Sequence, residues 1–315
     1  MIGIIVDSGC DLPEAIKEKT NVRVIPLKVV LEGKEYRDNI DITTEQLLEF
    51  MENKFPKTSL PGYNDIGQAF ESLYKEGVKE IVFVGISSGL SGTLGLVKRF
   101  SEDFIKKNPG AKVHVVDSKN ISIASGLVAM RGVELSEQGA TFDEVVLAVE
   151  EAVKKSKVFF CIPVLKYLKA GGRIGKVSAT IGDILDLKPV ITVGEDGIYH
   201  SVSKDRGMRR AVNTTVRKLL EYISGKKGQV RGRLHLRQER EVSRIFPHDS
   251  GNSGKPGDKE HHHWPNLPVT RGSHRTGFDR RGGSGRIKPR TTKTPGGKTH
   301  DHLAGSDTGF KTFIP

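Results

Sequence analysis

The chain has only two cysteines, one tryptophan and no apolar run of membrane-spanning length. Cys10 and Cys161 lie far apart, which gives neither a disulfide framework nor a metal-ligand spacing and makes a reducing cytoplasm the expected compartment. No P-loop, dinucleotide fingerprint or paired Cys/His ligand set is present, so neither a metal nor a cofactor is expected. Met1 leads straight into the strand-like Ile2-Gly3-Ile4-Ile5-Val6 without a basic leader or cleavable segment, as expected of a soluble intracellular protein with no stable membrane insertion. The first 228 residues also lack a charge excess, with 33 Lys and Arg against 30 Asp and Glu. Nine of the twelve net positive charges therefore come from residues 229–315, which hold 17 against 8, and nucleic acid is not an expected partner of the folded body.

What is present reads as two domains. Ile2–Val6, Val22–Val30, Ile81–Gly85 and Val113–Val116 are apolar, β-branched runs, the pattern of strands buried on both faces. Helical stretches alternate with them at Thr43–Lys54, capped by Thr43, and at Asn64–Glu76, Ser91–Lys107 and Ile121–Gln138. That alternation predicts an α/β domain over residues 1–156 with a mostly parallel sheet covered on both faces. From Lys157 the pattern changes. Strands at Val158–Ile162, Pro189–Val193 and Ile198–Val202, the last two joined by a hairpin across Gly194-Glu195-Asp196-Gly197, precede a helix at Met208–Ile223. Residues 157–228 thus form a second, incomplete α+β domain that needs more strands to close its sheet.

Those strands do not arrive. Residues 229–315 carry eight of the ten His, 11 Arg, 13 Gly and seven Pro without sustained periodicity, the composition of a disordered tail. A basic Arg/Gly-rich tail is one way to bind RNA or DNA. The abrupt change in mid-domain instead favours translation out of frame after Gly228, and the run His261-His262-His263 is a product of that bias rather than a metal site.

The loops carry the chemistry. Asp7-Ser8-Gly9-Cys10-Asp11-Leu12-Pro13 follows the first strand, where open α/β sheets bind ligands, so Asp7 and Ser8 are placed to line a site while Asp11 caps a helix starting at Pro13. Lys57-Thr58-Ser59-Leu60-Pro61-Gly62 is expected as a loop between two helices. Ser87-Ser88-Gly89-Leu90-Ser91-Gly92-Thr93 joins a strand to a helix. Loops of this kind offer N–H groups and neutral hydroxyls to a small anion, which points to an acidic ligand with an apolar body. Gly85-Ile86-Ser87-Ser88-Gly89 also matches the Gly-x-Ser-x-Gly nucleophile pattern, so the rival reading is a serine hydrolase using Ser87. Its triad lacks a base, because His114 lies within a strand and His200 on the hairpin. Finally, Gly171 and Gly172 end a short helix in left-handed geometry and leave Arg173 projecting from a tight turn.

Taken in order, these stretches resemble the DegV family of bacterial fatty-acid-binding proteins. The match runs through Val6-Asp7-Ser8-Gly9-Cys10-Asp11-Leu12-Pro13, Val24-Ile25-Pro26-Leu27, Lys57-Thr58-Ser59-x-Pro61, Ser87-Ser88-x-Leu90-Ser91-Gly92-Thr93, Val116-Asp117-Ser118, Tyr167-Leu168-x-x-Gly171-Gly172-Arg173-Ile174 and Leu187-Lys188-Pro189. It covers residues 1–228. The resemblance implies a non-enzymatic carrier that holds a long-chain fatty acid and presents it to a separate ATP-dependent fatty acid kinase for lipid synthesis. It implies that Thr58 and Ser88 bind the carboxylate, that Ser59 and Ser87 shape the site, and that Arg173 docks the kinase. The family's Gly-x-His-x-Gly-Pro-Gly element has no counterpart beyond Gly272-Ser273-His274, and no histidine role is carried over.

Overall fold

The apolar run after Met1 forms β1 (Gly3–Asp7) in the computed structural model, which describes residues 1–180 and 186–224. There follow α1 (Glu14–Lys17), β2 (Val22–Ile25), β3 (Lys28–Leu31), β4 (Lys34–Arg37), α2 (Thr44–Asn53), β5 (Lys57–Ser59) and α3 (Tyr63–Lys75). The chain continues through β6 (Glu80–Gly85), α4 (Thr93–Lys107), β7 (Lys112–Asp117), α5 (Ile123–Glu137) and α6 (Phe142–Lys155). The last described elements are β8 (Phe159–Cys161), α7 (Lys166–Ala170), β9 (Leu187–Val193), β10 (Tyr199–Arg206) and α8 (Met208–Ser224). The tail expected to be out of frame, with His261-His262-His263, lies outside the described residues.

The expected parallel sheet is present, four strands in the order β2-β1-β6-β7 with every neighbouring pair parallel. Its two central strands are buried on both faces, which is why β1 and β6 read as continuous apolar runs. Alternate side chains serve opposite layers. Ile5, Ile81 and Phe83 pack with Ile66, Phe70 and Leu73 of α3 and Val97, Phe100 and Phe104 of α4. Ile4, Val6, Val82 and Val84 pack on the other face with Val128 and Val133 of α5 and Val145 and Val149 of α6.

That second layer also takes in Leu168, Ile191, Val193 and Tyr199, so the three-stranded antiparallel sheet β10-β9-β8 shares an apolar cluster with the parallel sheet instead of closing a separate core. The hairpin across Gly194–Gly197 forms as expected; of the two glycines after α7 only Gly172 is left-handed (φ 73), Gly171 keeping right-handed geometry (φ -76) as the helix's last turn closes.

Three expectations are corrected. The run Val22–Val30 is two strands in two sheets, because Pro26 has no N–H for a ladder and the N–H of Leu27 bonds Ser8 Oγ. β3 instead joins the antiparallel sheet β4-β3-β5, where Val29 is opposite Thr58, so the Thr58-Ser59 segment is a strand edge and not a loop. Asp11 does not cap a helix at Pro13. It adopts left-handed geometry (φ 47) and accepts the Ser122 hydroxyl at 2.6 Å, which holds Ser122 out of helical geometry (φ 56) and delays α5 to Ile123. The Thr43 cap forms as a capping box with Gln46. Thr43→Ala is expected to lower stability by about 1 kcal/mol, measured as an earlier urea midpoint at unchanged slope.

Candidate functional site

The carboxyl ends of β1, β6 and β7 lie at one edge of the parallel sheet, where neighbouring strand-to-helix links diverge. Asp7 closes β1 there and is fully buried. Its carboxylate accepts the backbone N–H of Gly9 at 3.0 Å and that of Ile86 at 2.9 Å, and the Cys10 thiol donates to it at 3.8 Å. Burial pushes this carboxyl up to about 7, against the downward pull of the hydrogen bonds from Ile86, Gly9 and Cys10. Burial, with Asp7 and Asp11 nearby, also pushes the Cys10 thiol well above its ordinary value.

A cavity of about 220 Å3 opens at this edge. Gly9, Ile86 and Ile121 reach it from the strand-end loops, Leu27 from the link between β2 and β3, and Leu90 and Ser91 from the segment before α4. The antiparallel β5 edge brings Thr58 and Ser59, followed by Leu60, and Arg173 enters from beyond α7. The lining is therefore aliphatic side chains plus three hydroxyls and one guanidinium. Thr58 and Ser59 make no side-chain hydrogen bond among the described residues. Ser91 Oγ lies 2.8 Å from Thr93 Oγ1 and accepts the Thr93 N–H at 3.2 Å, which fixes it at the head of α4 while leaving it on the cavity lining.

The other serines are held differently. Ser8 Oγ accepts the Leu27 N–H at 3.1 Å, so it fastens a wall and is not itself part of the lining. Ser87 is fully buried, donates to the carbonyl of Gly197 at 2.7 Å and accepts the Gly89 N–H at 3.2 Å. Ser88 is exposed and donates to Asp117 Oδ2 at 2.5 Å. Burial pushes the Asp117 carboxyl up, but hydrogen bonds from Ser88 and Lys119 outweigh it and hold the group below its ordinary value. Ser91 is the serine of this segment that reaches the cavity, and the sequence reading leaves it out of the site. Its short spacing to Thr93 at the helix head was the available signal.

The hydrolase reading does not survive this geometry. A nucleophile elbow needs an exposed serine hydroxyl hydrogen-bonded to a histidine. Ser87 is fully buried against the β9–β10 turn and its hydroxyl bonds the Gly197 carbonyl and the Gly89 N–H, while the ring bonds of His114 and His200 go to Glu150 and Asp196 and not to a serine. Arg173 is half-buried, its Nε donating to the carbonyl of Leu90 at 3.2 Å and its Nη1 to that of Gly171 at 2.6 Å. The Leu90 bond ties the segment after α7 to the loop that carries Ser91. The described residues contain no cluster of three His, Cys, Asp or Glu able to hold a metal, and none of their helices is long and apolar enough to cross a membrane.

The family model described as "Uncharacterised protein, DegV family" matches residues 1–250. A DegV domain-containing protein of Clostridium acetobutylicum is 34% identical over 212 residues, which cover 67% of this chain and 74% of that protein. Among solved structures, a fatty-acid-binding DegV family protein from Thermus thermophilus superposes with a TM-score of 0.64 at 32% identity, covering 72% of this chain and 79% of that one. A stearic acid-binding protein from Eubacterium ventriosum gives a TM-score of 0.67 at 29% identity, over 72% and 78% of the two chains. The fatty acid kinase B3 protein of Streptococcus pneumoniae, loaded with linoleic acid, gives 0.61 at 27% identity, over 70% and 78%.

Proposed function

This chain belongs to the DegV family, and from that premise we propose that it is a non-enzymatic carrier that holds a long-chain fatty acid in the cavity between β5 and the strand-end loops. The observation that carries the reading is the composition of the lining, with Thr58, Ser59, Ser91 and Arg173 set among Leu27, Leu60, Ile86, Leu90 and Ile121. Each methylene taken out of water contributes about 0.8 kcal/mol, so the acyl chain supplies the affinity. The carboxylate must still be satisfied, since an isolated buried charge is very costly. Thr58 and Ser91 hydroxyls donate to it, Ser59 widens the choice of donor, and the cation of Arg173 balances its charge. A cavity of about 220 Å3 takes the head and the first part of the chain, and the remaining methylenes require its aliphatic walls to part.

The carrier then presents the acid to a separate ATP-dependent fatty acid kinase, a reading supported by the likeness to the S. pneumoniae protein. A carboxylate oxygen attacks the γ-phosphorus of ATP held by the kinase, ADP leaves, and an acyl phosphate remains on the carrier for lipid synthesis. Arg173, half-buried with two donors engaged inward, acts on the head group in the cavity.

Mass spectrometry of a denatured extract of the purified full chain tests the reading. A bound fatty acid is the expected result, with Thr58→Ala and Ser91→Ala each releasing oleic acid about tenfold faster. A lipid-free protein that also fails to take up added oleic acid would end the proposal.

A further inference from the structure

Three backbone amides on the cavity wall lie where ladder hydrogen bonds run out. Gly9 follows β1, Ile86 follows β6, and Leu27 follows the Pro26 break between β2 and β3. A buried N–H without an acceptor is costly, so each needs a partner from elsewhere. All three find it on two adjacent residues. Asp7 Oδ1 accepts the Gly9 N–H at 3.0 Å, Asp7 Oδ2 accepts the Ile86 N–H at 2.9 Å, and Ser8 Oγ accepts the Leu27 N–H at 3.1 Å.

We propose that Asp7 and Ser8 are positioning residues for the ligand cavity, a two-residue clamp that fixes three separate walls through their main-chain amides without touching the ligand. Ionised Asp7 offers an acceptor oxygen to each of two amides at once, which a side-chain amide cannot do because one end of it is a donor. The Ile86 bond reaches across the sheet from β1 to the segment that runs on to Leu90 and Ser91. The Leu27 bond reaches the other way, to the link that feeds β3 and, through it, the paired β5 edge carrying Thr58. The clamp thus stands behind both hydroxyl-bearing segments. It also gives Asp7 a reason to stay fully buried despite the cost of burying a carboxylate.

The proposal rests on the fatty-acid reading for its functional arm, and the test separates the two. Oleic acid is loaded onto the full chain, and its release is timed alongside residue-resolved amide exchange. Asp7→Asn is expected to release oleic acid about tenfold faster, and Asp7→Ala faster still. Ser8→Ala is expected to speed release, and Ser8→Thr, which keeps the hydroxyl, to restore it. Exchange should accelerate at Gly9 and Ile86 in the Asp7 variants and at Leu27 in Ser8→Ala, with interior β6 amides unchanged. Release at the wild-type rate from folded variants overturns the clamp, whether or not exchange changes. Where the Asp7 variants do not fold, the Ser8 pair decides by the same criteria. If the wild type holds no oleic acid, the carrier reading fails, and amide exchange alone then judges the clamp. Lost protection at the three amides supports it, and unchanged protection overturns it.

Discussion

Gly89→Ala is expected to speed the release of bound fatty acid ~10- to 100-fold and to lower stability by ~1–3 kcal/mol, the range for overpacking a close contact. A methyl group at Gly89 would stand 2.6 Å from the carbonyl oxygen and 2.8 Å from the carbonyl carbon of Gly197. Both are main-chain atoms of the β9–β10 turn, so no side-chain rotation relieves the contact. Gly197 is held in place by its own bonds, its carbonyl accepting the Ser87 hydroxyl at 2.7 Å and its N–H donating to the Gly194 carbonyl at 3.0 Å. The Ser87–Ser91 segment or the hairpin must therefore move, and that segment carries Leu90 and Ser91 into the cavity. Gly95→Ala supplies the contrast. It lies inside α4 with open space around it, so the same substitution should raise stability by about 1 kcal/mol through helix propensity and leave release unchanged. Timed release of oleic acid and urea midpoints for the two variants check both signs. Equal behaviour would show that the turn contact does not govern the cavity.

The same segment shows where sequence reading stops. The central strands are legible because burial on both faces leaves an unbroken apolar run at Ile4–Val6 and Ile81–Val84. β5 is not, because Lys57-Thr58-Ser59 is three polar residues whose strand character comes from pairing with β3. α6 is announced by a capping box, Thr141 with Glu144, yet the sequence reading passes over it. Within Ser87–Ser91, composition marks a hydroxyl-rich segment, but three serines meet three different partners. Ser87 turns to Gly197, Ser88 to Asp117 and Ser91 to the cavity, and only the closed geometry of the turn assigns them. Arg173 is visible as a cation after two glycines, and its engagement with Leu90 depends on how the second sheet packs.

Stability is expected to rise as pH falls from about 8 to about 5, opposite to the usual trend for a protein rich in paired carboxylates. Burial lifts Asp7 from an ordinary value of 3.8 to about 7. Between those values the native state keeps a proton that the unfolded chain has released, so acidification favours the native state. The slope approaches ~1.4 kcal/mol per pH unit, and the whole window is worth roughly 4 kcal/mol. The opposing groups act lower. A hydrogen bond from the Arg37 side chain holds Asp41 down to about 2, and those from Lys176 and His200 hold Asp196 below its ordinary value. A group with a depressed value contributes stability that is lost only as pH falls towards that value, so these carboxylates reverse the trend below about pH 4. The thermal midpoint should therefore peak between about pH 4 and 5 and be higher at pH 5 than at pH 8. In Asp7→Asn the rise between pH 8 and 5 should vanish while the fall at lower pH remains. A wild-type midpoint that is flat or falling over that interval, or an equal rise in Asp7→Asn, would show that Asp7 is ionised at neutral pH without cost to the fold. The two strand-end amides would then fully repay its burial.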